Sequence, residues 1–166
     1  METSRAVASA AEELDIRQYL TFGLGGEEYG VDILRVQEVK GWTEVTKIPR
    51  APKWMSGVLN LRGVIVPIID MRARFELGSA EFNRLTVIIV INVGTGAQAR
   101  PIGIVVDQVS DVVDVDTAGI KPPPSFGTAL DSSFLVGLAD VSDKMVMLLD
   151  ADKLLSDAEI NSLPSS

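Results

Sequence analysis

A mainly β fold, organised as two small five-stranded antiparallel barrels in tandem, is predicted from three features of the sequence. Of its 166 residues, 46% are hydrophobic but only 5% aromatic, so the core must come mainly from Val, Ile and Leu, which suit pleated, half-buried surfaces. A chain of this size buries about 68 to 70% of its unfolded surface, enough for a substantial core. The apolar runs, such as Val64 to Ile69 and Leu85 to Ile91, are short and set between turn residues. Finally, the chain repeats itself. "YGVDILRVQEV" from Tyr29 lies over "IGIVVDQVSDV" from Ile102, matching Gly30 with Gly103, Val36 with Val109, Val39 with Val112 and acidic Glu38 with Asp111. "GVLNLRGVIVPIID" from Gly57 lies over "GLADVSDKMVMLLD" from Gly137, matching Gly57 with Gly137, Val66 with Val146 and Asp70 with Asp150. The order is the same in both copies, and the offset grows from 73 to 80 because the second copy carries the insertion Lys121 to Ser133. Copy one is expected at about 17–80 and copy two at about 81–150.

In chain order, residues 1–16 read as a flexible tail with no secretory signal. Tyr19 to Leu24 is a strand, Gly25-Gly26 a hairpin turn, and Tyr29 to Val39 the next strand. Thr46 to Pro52 is a loop, and Pro52 starts a short helix that Gly57 ends. Val58 to Leu61 and Val64 to Ile69 are strands joined by the Arg62-Gly63 turn, with Pro67 expected on an edge or at a bulge because it lacks an N–H. Asp70 caps a helical stretch from Met71 to Phe75. After a joint at Gly78 to Asn83 the pattern restarts, and residues 151–166 form a C-terminal helix and tail, with Leu154, Leu155, Ala158 and Leu163 at helical spacing. Pattern alone does not show whether strands are exchanged between the barrels.

The net charge of −8 opposes nucleic-acid binding, which relies on Lys and Arg against phosphate. No apolar run approaches the ~20 residues that a membrane-spanning helix needs. With no His and no Cys, nucleophilic triads, cysteine nucleophiles and the usual zinc and haem ligands are absent. The series Asp107, Asp111, Asp114 and Asp116 lacks calcium-loop spacing and reads as a solvated strand edge. "GTGAQA", Gly94 to Ala99, resembles a dinucleotide fingerprint but leads into β-type sequence, so a hairpin loop is expected. A glycosidase would need aromatic residues along a sugar cleft, and these are missing. No catalytic residue, metal or cofactor is expected. "IKPPPSF", Ile120 to Phe126, reads as a stiff loop or a polyproline ligand, with Phe126 an aromatic suited to an interface.

Arg62-Gly63 of copy one corresponds to Ser142-Asp143 of copy two. The turn therefore does not require an arginine. Arg62 is either an ordinary exposed residue or one that something outside the turn uses.

The stretches "EEYGVDILRVQEV", "NLRGVIVPIIDMR", "IGIVVDQVSDV" and "LVGLADVSDKMVMLLD" closely resemble the CheW family of bacterial chemotaxis adaptors, giving an expected CheW-like domain at 17–155. Related modules occur in CheV and in the regulatory domain of the CheA histidine kinase; the chain resembles the stand-alone adaptor. The resemblance implies two SH3-like barrels, no catalysis, and a cytoplasmic scaffold recruited to membrane-associated receptor arrays. It implies binding of chemoreceptor tips in a groove between barrels through Ile33, Val36, Glu38, Gly57, Arg62 and Val87, with Arg62 and Glu38 as partners. It also implies contact with CheA through Val45, Thr46, Lys47, Ile48 and Phe126. The loop Asn92 to Pro101 is longer than usual and is expected to be an exposed hairpin, and Trp54-Met55 is unusually bulky. A related scaffold controlling surface motility or gene expression is the alternative. From other classes, a nucleic-acid-binding barrel is opposed by charge and the shortage of aromatics, and a hydrolase by the lack of a nucleophile with a base.

Overall fold

Tyr29 to Val39 does not run on as one strand. Asp32 accepts a hydrogen bond from the Leu34 N–H at 2.9 Å, and residues Ile33–Arg35 form a 3-10 turn that redirects the chain. The computed structural model describes residues 15–78, 82–94, 96–123 and 134–163. Its strands are β1 (Ile16–Leu24), β2 (Glu27–Asp32), β3 (Val36–Gly41), β4 (Met55–Leu61), β5 (Val64–Asp70), β6 (Val87–Val93), β7 (Arg100–Val106), β8 (Gln108–Asp116), β9 (Leu135–Val141) and β10 (Lys144–Leu149). Among the described residues there are also two short helices, α1 (Met71–Arg74) and α2 (Asp157–Asn161), beside 3-10 turns.

The fold is mainly β, with two five-stranded sheets in the orders β8-β1-β2-β10-β9 and β3-β6-β7-β5-β4. The duplication is therefore real, but consecutive barrels at about 17–80 and 81–150 are not what forms. Each sheet takes a hairpin from one copy and three strands from the other. The three-residue turn after β2 and the single residue Asp107 after β7 carry the chain from one sheet into the other.

The matched residues explain how. Gly30 and Gly103 sit at equivalent points where β2 pairs with β10 and β7 with β5, the two parallel ladders. A Cβ on Gly103 would lie 2.6 Å from Ile68 Cδ1 and 2.9 Å from Ile88 Cγ2; on Gly30 it would lie 3.2 Å from Leu148 Cδ2. Both copies have a register shift at the same place, between Val36 and Glu38 in β3 and opposite Thr21/Phe22 in β8. Asp70 and Asp150 each cap the turn that follows, accepting from Ala73 N–H and Asp152 N–H.

Four further local expectations are corrected. Pro52 to Gly57 forms no helix: β4 begins at Met55, whose partner is Ile69, because pairing along β5 outweighs a helix too short to sustain itself. Pro67 is buried on an interior strand. It faces Val58, whose own N–H and C=O point to Thr46, and the parallel ladder with β7 starts only at Ile68, so the missing N–H interrupts nothing. The C-terminal segment is not one helix but a 3-10 turn, Ala151–Lys153, followed by α2, because Ser156 stops the first piece and starts the second with a capping box to Glu159. Leu154, Leu155 and Leu163 are nevertheless buried. β1 also begins earlier than expected, at Ile16 opposite Asp116.

The largest apolar core lies between the sheets. Leu20, Phe22, Leu24 and Val31 from one sheet meet Ile89, Ile91, Ile102 and Ile104 from the other, with Met71, Phe75 and Leu154 filling the joint. Each sheet also wraps a smaller core of its own, around Tyr19 and Leu148 in one and Ile68 and Ile88 in the other. Each fully buried side chain of this kind contributes about 1.5 to 3 kcal/mol.

Arginine forks hold the rim of the joint. Arg72 of α1 grips Asp107 at 2.8 and 2.7 Å, Arg74 grips Glu159 at 2.9 and 2.8 Å, and Arg35 grips Asp152 at 2.8 and 2.6 Å. The Arg74 guanidinium also lies 4.9 Å from the Trp54 ring and 5.3 Å from that of Phe134. Burial by itself would raise the Asp107 pKa, but the Arg72 fork and the Gly25 N–H outweigh it and hold the carboxyl below its ordinary value. The same balance lowers Asp152 and Glu159.

Arg72→Met is expected to cost about 2 kcal/mol, the scale of a hydrogen bond to a charged group, or about 4 to 8 °C in thermal midpoint for a domain of this size. Because the folded Asp107 pKa lies below 3.8, the wild-type advantage is complete above that value and disappears as pH falls through the folded pKa. Thermal melts of both proteins from pH 7 to pH 2.5 check this; a gap that does not narrow toward the acid end would refute it.

Candidate functional site

The Arg62-Gly63 turn joins β4 to β5 with both residues in the left-handed region, at φ 53 and 87. This is a two-residue hairpin turn of the I′ kind, which favours Asn, Asp and Gly. Ser142 and Asp143 occupy the corresponding turn with φ 50 and 65. Arg62 therefore holds a backbone position to which it is poorly suited and which its counterpart fills with small polar residues. The turn is secured independently by Asn60, which accepts from the Gly63 N–H at 2.8 Å.

Arg62 Nη2 donates to Glu38 Oε1 at 2.8 Å, the Arg62 side chain being 76% exposed and that of Glu38 29% exposed. Glu38 follows the register shift of β3, and such bulges re-aim the neighbouring side chain. The pair links β3 to the β4–β5 turn, and the chain beyond β3 meets β4 through the isolated bridge from Thr46 to Val58. In the second copy Asp111 takes the Glu38 position, and its carboxylate accepts from the Val112 N–H at 2.8 Å.

The other residues expected at a receptor surface fall into two groups. Ile33, Val36 and Val87 are half-buried and pack against the core between the sheets. Val36 pairs with Ile91 and Val87 with Gly41, so these two lie at opposite ends of the β3–β6 ladder, about 13 Å apart. Gly57 is buried in β4. In the stretch assigned to kinase contact, Thr46 and Lys47 are exposed while Val45 and Ile48 are half-buried. Phe126 lies outside the described residues, as do most of the inserted loop and the tail 1–14.

Sequence reasoning overlooked an open depression of about 420 Å³ lined by Asp15, Ile16, Arg17, Gln18, Asp32, Ile33 and Leu34. Leu34 stands at its edge, 85% exposed. The available signal was an apolar pair directly after an Asp cap, which places one side chain inward and leaves the next outside.

The acidic series has structural duties. Asp107 receives Arg72, Asp114 accepts from Gln18 at 3.2 Å, and Asp116 caps a 3-10 turn by accepting from Ala118 N–H. No group of metal-ligating side chains is present among the described residues. "GTGAQA" falls in the β6–β7 hairpin, with a 3-10 turn at Gly96–Gln98 and no helix N-terminus for a pyrophosphate. No helix among the described residues is long and apolar enough to cross a membrane.

Paired five-stranded sheets, a large shared core and an exposed charge pair describe a scaffold module. The chain belongs to the CheW-like domain family, whose model matches residues 18–159. It is 45% identical to the chemotaxis protein CheW of Klebsiella aerogenes over 93% of this chain and 90% of that protein. It is 36% identical to the probable chemotaxis protein CheW of Rhizobium etli over 86% and 90%. Among solved structures, the scaffolding protein TtCheW from Thermoanaerobacter tengcongensis superposes with a TM-score of 0.76 at 34% identity, covering 86% of this chain and 89% of that one.

Arg62→Asn is expected to leave the thermal midpoint unchanged or slightly higher. The exposed ion pair contributes only about 0 to 1 kcal/mol, while Asn suits the left-handed position better than Arg. A fall of more than about 4 °C, roughly 1 to 2 kcal/mol at this size, would make Arg62 a structural residue.

Proposed function

We propose that this chain is a non-catalytic chemotaxis coupling protein that joins chemoreceptors to the histidine kinase CheA within signalling arrays. The observation that carries the reading is the family match across 18–159 together with 45% identity to a chemotaxis protein CheW. The receptor surface comprises Ile33, Val36, Glu38, Arg62 and Val87, with Gly57 beneath it; Val45, Thr46, Lys47, Ile48 and Phe126 face the kinase regulatory domain. The protein acts in the cytoplasm, recruited to membrane-associated receptors through their cytoplasmic tips.

The mechanism is one of geometry. A coupling protein binds two partners at once and converts a shift in one into a changed placement of the other, so it requires two surfaces on one rigid body and no reacting group. The Arg62–Glu38 pair supports this reading because a guanidinium held in an unfavourable turn contributes little to folding and remains available for recognition. The alternative is a related scaffold of a chemosensory pathway that controls another output, such as surface motility or gene expression.

Affinity of a receptor-tip fragment for Arg62→Glu, Glu38→Lys and the double variant tests the surface. Both single variants should bind at least tenfold more weakly. Recovery in the double variant assigns the pair to shaping the surface, and failure to recover assigns Arg62 to direct contact. Wild-type affinity in Arg62→Glu alone defeats the assignment. Capture of a histidine kinase other than a chemotaxis CheA from native lysate would favour the other output, and calorimetry with ATP and magnesium should show no binding.

A further inference from the structure

Gly57 is buried and has no side chain, so it cannot meet a partner directly. Its φ of 152 lies in a region that essentially only glycine uses. A Cβ built there would run into the carbonyl group of Thr46 and sit 2.9 Å from Val45 Cγ2. That same carbonyl accepts the Val58 N–H at 2.9 Å, and the Thr46 N–H donates to the Val58 carbonyl at 3.0 Å. The bridge brings the chain leaving β3 across to β4 and closes this side of the sheet.

The second barrel makes the same contact with different residues. A Cβ on Gly137 would strike the Lys121 carbonyl, and Lys121 and Leu138 exchange two backbone hydrogen bonds of 2.8 Å each. The loops that follow the two clamped residues differ in length and composition: Thr46 leads through Lys47 to Trp54, whereas Lys121 leads into the tri-proline insertion. What the copies share is a glycine that allows one backbone to lie against another. The obstacle to any larger residue is a carbonyl group, which unlike the end of a side chain cannot swing aside without moving its peptide plane.

We propose that Gly57 and Gly137 are positioning residues, each a backbone clamp that sets where the preceding segment leaves its barrel. In the first barrel the clamp makes β4 and the segment Val45–Ile48 one mechanical piece, so that a change at Gly57 reaches the kinase partner through the Thr46 carbonyl. This part rests on the assignment of Val45–Ile48 to kinase contact made above. Gly137 holds Lys121, and with it the start of the insertion that carries Phe126, in the same way.

Amide hydrogen exchange on the full chain, with affinities for the kinase regulatory domain and a receptor-tip fragment, tests the clamp. In Gly57→Ala the Thr46 and Val58 amides should lose protection at least tenfold while those of Lys121 and Leu138 keep theirs, and kinase affinity should fall at least tenfold. Gly137→Ala should give the mirrored exchange pattern. Unchanged protection at Thr46 and Val58 in Gly57→Ala overturns the proposal, as does lost protection with unchanged kinase affinity. Should Gly57→Ala fail to fold, the wild-type chain decides: saturating kinase domain slows exchange at Thr46 and Val58 at least threefold if the clamp lies under the contact, and unchanged exchange overturns it. A wild-type chain that binds neither partner defeats the function proposed above, while the exchange comparison between the two glycine variants still decides the clamp.

Discussion

Neither sheet can be completed from its own half of the sequence. The β1–β2 hairpin pairs with β8 and β10, and the β6–β7 hairpin pairs with β3 and β5. Everything else in the molecule follows from this exchange. It brings the inner faces of both hairpins together, which is why the largest core lies between the sheets rather than within either. It also explains why α1, the C-terminal 3-10 turn and α2 gather at the joint: they cover the ends of that core, and Arg35, Arg72 and Arg74 tie them across it. The forks are less than two-fifths exposed on either partner, so they are desolvated enough to matter and wet enough to form cheaply.

The repeat was visible in the sequence because its constraints are local and steric. Glycines at Gly30 and Gly103, or Gly57 and Gly137, are needed wherever one backbone or a packed side chain crosses close to another, and the same crossing occurs twice. The exchange was not visible, since an alternating strand records which face is buried but not which strand lies alongside it. The arginine forks were hidden for a related reason. Arg35 and Asp152 are 117 residues apart in the sequence and Arg74 and Glu159 are 85 apart, and nothing local in either partner announces the other. The absent helix at Pro52 to Gly57 shows the opposite failure: sound start and stop signals enclosed too few residues to compete with a ladder on β5.

At the candidate site, comparison between the two copies was more informative than residue type. An exposed arginine is unremarkable alone. Set beside Ser142 in the same left-handed turn, Arg62 stands out as a choice that the fold did not impose, and its bond to Glu38 gives that choice an object. The same comparison could not reveal that Gly57 lies beneath the surface, because burial depends on where the chain passes after β3. Leu34 was missed for a similar reason, its exposure being set by the tight turn that sends β2 and β3 to different sheets.

The change of sheet after β7 takes a single residue, Asp107, and that residue is itself held by Arg72 and by the Gly25 N–H. With no linker there, the two barrels have no axis about which to swing. A unit of this kind fixes an angle as well as a distance. In any assembly made by repetition, angular error compounds from one unit to the next, and a part with no joint of its own lets the order of the whole extend far beyond the size of the part.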